Sequence, residues 1–274
     1  MSLAKSIAVF GGNGFLGRKI CEIGVQKGYQ VTSFSRSGEP PQAIIHQPWI
    51  KQVEWESADL FDASSYQSKL SKFGTIVHSV GILFENQSYK KAMNSNINFL
   101  SDIQNFANSL KGSNPMKKGE EDHNSYEAIQ RDSAVLLADT FITEQKEVPD
   151  ANPTFIYISA DQQVPMVPSG YITTKREAEF ELSCKEGLRS ISVRPGIMYE
   201  EKHAEGGATA RDYITTFLKC GYNSKQYILG NSIPMLNQLV RPVVSTDKVA
   251  KSIYEKIEDS TFKGIVTLDE IYKS

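Results

Sequence analysis

The stretch that decides the fold is Ser6-Ile7-Ala8-Val9-Phe10-Gly11-Gly12-Asn13-Gly14-Phe15-Leu16-Gly17-Arg18, close to the amino terminus. Its apolar first part predicts a buried strand, its glycines predict a tight turn, and a predicted helix begins at Gly17. A strand, a glycine-rich turn and a helix in this order are typical of a site that binds the phosphates of a dinucleotide. The alternative is a strand–helix turn that binds no ligand.

Each glycine of this turn has a predicted physical role. Gly11 and Gly12 let the chain reverse tightly after the strand, and Gly14 lets a pyrophosphate approach the backbone. Gly17 lets the helix pack against the strand, and the helix start offers N–H groups and the positive end of its dipole to the phosphates. The residues predicted to contact the dinucleotide here are Gly11, Gly12, Asn13, Gly14, Phe15, Leu16 and Gly17.

Composition narrows the class of protein. The chain has 274 residues, a formal net charge of −2 and a pI of about 6.1, so it is long enough for a substantial core and favours no nucleic-acid partner. Three widely spaced cysteines argue against a disulfide framework and predict no metal site.

No apolar run reaches the length of a membrane span. The first strand begins near residue 5, which leaves no room for a cleavable presequence and by itself predicts a cytosolic protein.

The second strand, predicted at residues 30–35, carries the signal for cofactor choice. Folds that prefer NAD(H) place an Asp or Glu near the end of this strand, where it binds the ribose hydroxyls. Ser35, Arg36 and Ser37 stand there instead, and a cation with two hydroxyls suits a 2′-phosphate. The sequence therefore predicts NADP(H) rather than NAD(H). The alternative is that Arg36 is a solvated loop residue.

The third strand, predicted at residues 53–55, leads to another part of the expected cofactor site. Asp59 and Leu60 follow it, at the place where the adenine lies in this type of fold. Asp59 is equally suited to cap a helix predicted at 63–72.

Residues 75–81 contain a fourth predicted strand and its exit. Gly81 would let the backbone approach the cofactor, and His78 is predicted to pack within the strand rather than to bind a metal. Residues 84–125 then interrupt the alternation of strands and helices, with one helix predicted at 97–110. So long an excursion in a compact domain indicates a lid, a partner surface or a disordered loop.

The rest of the chain resumes the alternation. The sequence predicts a helix at 126–144, a strand at 154–160, a helix at 171–184, a strand at 190–196, a helix at 209–219, a helix at 249–257 and a strand at 264–268. This pattern predicts an α/β fold with a Rossmann-type doubly wound parallel sheet. Residues 1–196 would form the dinucleotide-binding core, and residues 197–274 a smaller cap region with elements that return to the core.

Three side chains form a predicted chemical constellation. Tyr171 and Lys175 are four residues apart on one predicted helix, so they share a face. A cation beside a phenol favours the phenolate, which suits acid–base chemistry. Ser159, at the carboxyl end of a strand, would hydrogen-bond the same substrate oxygen. The alternatives are that Tyr171 only packs while Lys175 holds the cofactor ribose, or that the site is a vestige.

These motifs, with Arg194-Pro195-Gly196 and residues 241–250, resemble the extended or atypical branch of the short-chain dehydrogenase/reductase superfamily. The resemblance covers nearly the whole chain. It implies that Tyr171 donates or accepts the proton, that Lys175 positions the nicotinamide ribose, that Ser159 orients the carbonyl and that Pro195 contacts the cofactor. The superfamily often has an asparagine in the preceding helix, where Gln130 stands here, and this departure puts full activity in question.

Shorter stretches, such as Ser35-Arg36-Ser37-Gly38 and Tyr157-Ile158-Ser159-Ala160-Asp161, are similar to a fungal mitochondrial group of that superfamily. The group acts in coenzyme Q (ubiquinone) biosynthesis and is related to the NADPH-binding accessory subunit of respiratory complex I. The resemblance implies a location on the matrix face of the inner membrane and other coenzyme Q biosynthesis proteins as partners. Three functions follow as hypotheses. One is an NADP(H)-dependent oxidoreductase acting on a carbonyl or alcohol, another is a cofactor-bound structural or regulatory subunit, and the third is a sensor of the NADP⁺/NADPH ratio.

Overall fold

The computed structural model describes residues 5–82, 125–149, 151–162, 167–201, 222 and 241–274. Seven strands within them form one parallel sheet with the order β3-β2-β1-β4-β5-β6-β9. They are β1 (Ser6–Phe10), β2 (Gln30–Ser35), β3 (Val53–Ser57), β4 (Thr75–His78), β5 (Thr154–Ile158), β6 (Arg189–Val193) and β9 (Gly264–Val266). Two short strands, β7 (Met198–Tyr199) and β8 (Val244–Ser245), pair separately. The predicted doubly wound sheet is confirmed.

Five α-helices connect and cover these strands in the described residues. They are α1 (Gly17–Gln26), α2 (Ser133–Gln145), α3 (Gly170–Ser183), α4 (Thr246–Glu258) and α5 (Leu268–Lys273). A π-helical turn at Glu127–Asp132 leads directly into α2. Four 3₁₀ segments lie at Gln42–Ile44, Pro48–Gln52, Ala63–Ser65 and Gln67–Lys72.

The sheet is covered on both faces, and each face has its own apolar core. On one face α1, α4 and α5 pack on the sheet through residues such as Ile20, Ile253 and Leu268. On the other face α2 and α3 do so through Leu137 and Leu182. Because both faces are buried, the central strands consist of nearly continuous apolar or small residues, which is why their sequence signal is strong.

Three predicted elements differ from the structure. The helix expected at 63–72 is wrong: two short 3₁₀ segments occupy it, and Asp62 rather than Asp59 caps the first by accepting from the Ser64 N–H. The helix expected at 126–144 begins as a π-helical turn. The last strand stops at Val266, and α5 follows it unpredicted, since six residues are too few to show a helical period.

Several predictions concern residues outside the described part of the chain. These are the helices at 97–110 and 209–219 and nearly all of the excursion at 84–125. Within the described part, α4 packs directly on α1, and the Tyr254 hydroxyl donates to the Ile20 carbonyl at 2.9 Å. The carboxyl-terminal helices therefore lie on the same core as the amino-terminal turn.

Candidate functional site

The carboxyl edge of the parallel sheet gathers the residues that the sequence singled out. Because parallel strands end at the same edge, residues that follow different strands become neighbours there. The strand β3 is followed by Asp59 and Leu60, and the end of β2 carries Ser35, Arg36 and Ser37. The turn at residues 11–17 follows β1. The strands β4, β5 and β6 are followed by Gly81, Ser159 and Pro195, respectively. One edge thus carries every residue predicted to bind the cofactor or to react, with Tyr171 and Lys175 on the adjacent α3.

The turn at residues 11–17, called the cradle below, has almost no room for a side chain at its glycines. Gly11 has a φ of +87°, and its carbonyl accepts from the Gly14 N–H at 2.9 Å. A Cβ on Gly17 would lie 2.1 Å from the Gly11 carbonyl oxygen, and one on Gly12 would lie 2.3 Å from the Ser33 hydroxyl. The glycines at these positions are therefore required by close packing.

The start of α1 suits an anion. Leu16 occupies the N-cap position without a side-chain cap bond, and the first turn of α1 carries no acidic residue. The Arg18 and Lys19 N–H groups donate to the Gly14 and Leu16 carbonyls, both at 3.0 Å, and no cap side chain covers the helix start, where the helix dipole favours negative charge. The Leu16 side chain itself is buried, whereas Asn13 is exposed. A bare backbone turn with an uncapped helix start fits a dinucleotide pyrophosphate.

Arg18, directly after the cradle, is a site residue that the sequence analysis missed. Its guanidinium forms an ion pair with Glu200 at 2.6 Å, and it lies 5.7 Å from the ring centre of Phe15. Glu200 follows β7, so this pair joins the cradle helix to the chain beyond β6. No sequence spacing between residues so far apart could have indicated the contact.

The ends of β2 and β3 form a hydrogen-bonded surface beside the cradle. Ser35 Oγ accepts from the Gly38 N–H at 3.2 Å, and the Arg36 carbonyl accepts from the Ser57 hydroxyl at 3.0 Å. The Arg36 side chain is exposed. Asp59 is exposed as well, and its carboxylate accepts from the Phe61 N–H at 3.0 Å, so it shapes its own turn. The roles of these residues in cofactor binding stay predictions.

Lys175 lies at the centre of the site and is only 3% exposed. Its ammonium donates to the Ile158 carbonyl at 2.7 Å and lies 5.8 Å from the ring centre of Tyr171 and 5.1 Å from that of Tyr157. The predicted shared face of Tyr171 and Lys175 is therefore confirmed. A Cβ on Gly81 would lie 3.7 Å from the ammonium, so this glycine leaves open space beside the amine.

The pKa of Lys175 is lowered from 10.5 to about 7, chiefly by burial; the charge of Glu179 opposes this shift and that of Arg176 adds to it. An amine with a pKa near neutrality changes its charge readily at physiological pH. The electrostatic influence of Lys175 on a neighbouring phenol is thus sensitive to pH in this range.

Tyr171 is partly buried. It packs against the apolar cluster of Ile82, Tyr126 and Ile129, and its ring meets that of Tyr126 edge-on at 6.1 Å. Both neighbours Tyr126 and Ile129 belong to the chain around the π-helical turn. The position of the phenol therefore depends on the geometry of that turn.

Below this pair lies a set of buried polar side chains, called the polar layer below: His78, Gln130, Ser133, Tyr157 and Lys175. The Ser133 hydroxyl donates to the Ile129 carbonyl at 2.8 Å, so it accepts from His78 Nε2, 2.9 Å away. Burial, followed by the charge of Lys175, lowers the pKa of His78 to about 3 and keeps the ring neutral. His78 is packed in the strand, as predicted.

The polar layer also explains why the helix begins with a π-helical turn. The Tyr157 hydroxyl donates a hydrogen bond to the Gln130 carbonyl at 2.8 Å, and the Ser133 hydroxyl donates one to the Ile129 carbonyl. Side-chain donors thus satisfy carbonyls within the turn, and Gln130 Nε2 reaches the Ile82 carbonyl at 3.1 Å. The donor from β5 is far away in sequence, so helical periodicity predicted an ordinary α-helix here.

Ser159, at the end of β5, is 4% exposed, and its N–H donates to the Val193 carbonyl at 2.8 Å. Its hydroxyl accepts from Arg176 at 3.1 Å. The sequence analysis missed Arg176, and the only available signal was its spacing of three residues from Glu179, with which it forms an ion pair.

The described ranges contain no group of three or more His, Cys, Asp or Glu side chains that could hold a metal ion. In the same ranges no helix is both long enough and apolar enough to cross a membrane.

The parallel sheet with its strand order, the cradle and the Tyr171–Lys175 pair define an extended short-chain dehydrogenase/reductase. The chain belongs to the family described as Male sterility protein, an NAD-binding family whose model matches residues 60–253. A second model, of the NAD dependent epimerase/dehydratase family, matches residues 7–112. Among curated proteins the chain is 42% identical to MIOREX complex component 2 of Saccharomyces cerevisiae, over 98% of this chain and 99% of that protein.

Solved structures with the same fold include two that hold a nicotinamide cofactor. A short-chain dehydrogenase from Leptospira borgpetersenii serovar Hardjo-bovis with bound NAD⁺ has a TM-score of 0.62 and 12% identity, covering 98% of this chain and 93% of that one. ElxO with bound NADP has a TM-score of 0.58 and 16% identity, covering 98% and 99%. At these identities the likeness shows the fold and leaves the choice between NAD and NADP open.

Proposed function

We propose that this chain binds NADP(H) along the carboxyl edge of its sheet and transfers a hydride between the nicotinamide and a carbonyl or the corresponding alcohol. The observation that carries the proposal is the position of the cradle beside the Tyr171–Lys175 pair. Only β4 separates β1 from β5. At the usual strand spacing these two strand ends are about 10 Å apart. A dinucleotide bound at the cradle would be long enough to reach the pair.

The chain's own residues would hold the ligands and move the proton. Lys175 would bind the nicotinamide ribose, and its charge would favour the phenolate of Tyr171, which exchanges the proton with the substrate oxygen. Ser159 would donate a hydrogen bond to the same oxygen. The cofactor supplies the hydride, and the protein supplies geometry and electrostatics.

The preference for NADP(H) is supported by the end of β2. Arg36 is exposed there beside the hydroxyls of Ser35 and Ser37, which are 3.4 Å apart. A guanidinium binds a 2′-phosphate with charge-assisted hydrogen bonds. No Asp or Glu stands among residues 35–38 to repel that phosphate or to bind an unmodified ribose.

The biological process is inferred from the sequence resemblance to the mitochondrial group that acts in coenzyme Q biosynthesis. On that basis the substrate is a small molecule of ubiquinone biosynthesis. The location is the matrix face of the inner membrane, in a complex with other biosynthetic proteins. A relative that is 42% identical over nearly the whole chain is itself named as a component of a complex, which supports assembly with other proteins.

That relative also favours a second function, a non-catalytic subunit stabilised by bound NADPH. A ligand that binds only the folded state raises the melting temperature whether or not it reacts. Substitution of Tyr171 separates the two functions, because only the oxidoreductase needs a proton donor at this position.

The test combines melting curves and turnover. We expect NADPH to raise the melting temperature of the wild type and of Tyr171→Phe equally. Oxidation of NADPH with a panel of quinone-ring precursors and simple carbonyls should fall about 10²- to 10⁴-fold in Tyr171→Phe. Tyr29→Phe, directly before β2 at the opposite edge of the sheet, is the control and should keep wild-type turnover. A melting shift without turnover of any compound in the wild type supports the non-catalytic subunit, and no shift with NADPH contradicts both functions.

A further inference from the structure

The guanidinium of Arg176 donates hydrogen bonds to three consecutive residues that follow β5. One terminal nitrogen donates to the Ser159 hydroxyl at 3.1 Å, and the other donates to the carbonyls of Ala160 and Asp161 at 2.8 and 2.7 Å. Arg176 follows Lys175 on α3. The residue next to Lys175 in sequence therefore donates directly to the Ser159 hydroxyl.

Glu179 holds this guanidinium in place. Its carboxylate is 6% exposed and accepts from Arg176 at 2.7 Å, while Arg194 of the β6 exit donates to the same carboxylate at 2.9 Å. Both terminal nitrogens of Arg176 thus make two hydrogen bonds each. A planar guanidinium with four fixed partners has a single orientation, which a lysine with its point charge could not reproduce.

In the hydrogen bond between Arg176 and Ser159, the serine oxygen is the acceptor. A guanidinium can only donate, so the bond from Arg176 occupies a lone pair of the Ser159 oxygen. The proton of that hydroxyl must then be given to a different acceptor. Ser159 lies at the carboxyl edge, where the reacting oxygen of a substrate would be.

We propose that Arg176 is a positioning residue of the site, which holds the Ser159 hydroxyl so that its proton points to the reacting oxygen of the substrate. The proposal rests on the proposed oxidoreductase function. Arg176 does not touch the substrate, since its terminal nitrogens are engaged with Ser159, Ala160, Asp161 and Glu179. It acts through Ser159, and the ligand atom that Ser159 meets is a hydrogen-bond acceptor such as a carbonyl oxygen.

Arg189 provides a matched control on the opposite edge of the sheet. Its guanidinium also binds backbone carbonyls, among them those of Ile257 and Asp259 at 3.0 and 2.8 Å, and a hydroxyl, that of Thr154, at 2.9 Å. Arg189 stands at the start of β6, far from the carboxyl edge. Its replacement removes a comparable set of hydrogen bonds without reaching the site.

The kinetic experiment uses Arg176→Met, Arg176→Lys, Ser159→Ala, the double variant Arg176→Met with Ser159→Ala, and Arg189→Met. Loss of a hydrogen bond to a charged group corresponds to about a 10- to 100-fold change, which we expect in kcat for both Arg176 variants, with KM for NADPH unchanged. In the Ser159→Ala background, Arg176→Met should cause no further loss of kcat. Arg189→Met should lower the melting temperature and leave kcat unchanged. Losses of kcat that multiply in the double variant would overturn the proposal.

Crystal structures of the wild type and of Arg176→Met test the positioning without any turnover. We expect the Ser159 side chain to change rotamer in the variant while β5 keeps its backbone position. An unchanged rotamer would overturn the proposal even if the oxidoreductase function holds. If the wild type turns over no carbonyl, the proposed function fails, and these structures still decide whether Arg176 orients Ser159.

Discussion

The cradle and the polar layer lie at neighbouring strand ends and are built in opposite ways. The cradle is seven consecutive residues, four of them glycines, whose lack of side chains lets a ligand approach the backbone. The polar layer is five side chains from β4, β5, α2, α3 and the π-helical turn before α2. A local motif can encode the first, whereas only the folded chain can assemble the second.

The two regions also differ in what stabilises them. The cradle depends on space, since a single methyl group at Gly17 would collide with the backbone. The polar layer depends on hydrogen bonds, because buried polar groups are costly unless they have partners. Substitutions in the cradle should therefore act on ligand binding, and those in the polar layer on stability and on the geometry of Tyr171 and Lys175.

The largest expected effect is that of Gly17→Val on the cradle. The new side chain would force the helix start away from the Gly11 carbonyl, and we expect NADPH affinity to fall by at least about 100-fold, or about 2.7 kcal/mol. Fluorescence titration with NADPH measures this. The control is Gly187→Ala, at an exposed turn with a φ of +71° and no atom near the added methyl, which should bind NADPH like the wild type. Equal affinities of both variants would contradict the cradle.

Arg36→Ala should have the next largest effect. Loss of charge-assisted bonds to the 2′-phosphate should weaken NADPH binding about 10- to 100-fold and leave NADH binding unchanged. Titration with both cofactors measures the difference. Lys51→Ala, which removes another exposed cation before β3, should change neither affinity. Equal weakening of both cofactors by Arg36→Ala would remove the predicted NADP preference.

Tyr157→Phe tests whether the polar layer positions the site, and Tyr254→Phe is the matched control outside the layer. Tyr157 and Tyr254 are both fully buried, and each hydroxyl donates to a carbonyl, at 2.8 and 2.9 Å. Each Phe variant should lose about 1–3 kcal/mol of unfolding free energy in denaturant titrations, because a buried carbonyl loses its donor. Only Tyr157→Phe should also lower turnover, since it releases the π-helical turn beside Tyr171. Equal activities of the two variants would show that the layer does not position the site.

The pH dependence of stability gives the smallest effect for each step of the experiment, one pH unit, and the most specific one. Burial lowers the pKa of Lys175 from 10.5 to about 7, so between these values the unfolded chain keeps a proton that the folded chain has released. Raising the pH through that window therefore favours the folded state. Relative to Lys175→Met, the unfolding free energy of the wild type should rise by at most about 1.4 kcal/mol per pH unit from pH 7 to 10, and stay flat below it. A falling difference in that window would refute the lowered pKa.

Much of the fold could be predicted because its elements have local signals. The second strand was expected at residues 30–35 and is observed at Gln30–Ser35, and the order of elements from β1 to β6 follows the predicted alternation. The cradle and the shared face of Tyr171 and Lys175 were predictable for the same reason. The 3₁₀ segments at 63–72 and the short helix α5 were not, since neither has enough residues to show a period.

The site could be predicted only in part. Ser159, Tyr171 and Lys175 carry a recognisable spacing, whereas Arg176 gave no signal beyond its distance from Glu179. The hydrogen bond of Tyr157 to the Gln130 carbonyl joins residues 27 positions apart, and that of Arg18 to Glu200 joins residues 182 apart. Pairs of this kind are invisible in a single sequence, because their partners become neighbours only when the strands align.

The sequence alone determined where the strands run, where the backbone lies bare for a phosphate and which phenol and amine share a helix face. Glycine spacing, apolar runs and helical periodicity act over a few residues, so they can be followed along the chain. The tertiary structure alone decided that the helix before Tyr171 starts with a π-helical turn, that Lys175 is buried deeply enough to shift its pKa, and that Arg176 holds Ser159. Those outcomes depend on burial and on hydrogen bonds between distant segments, which exist only after the sheet has brought its strand ends to one edge.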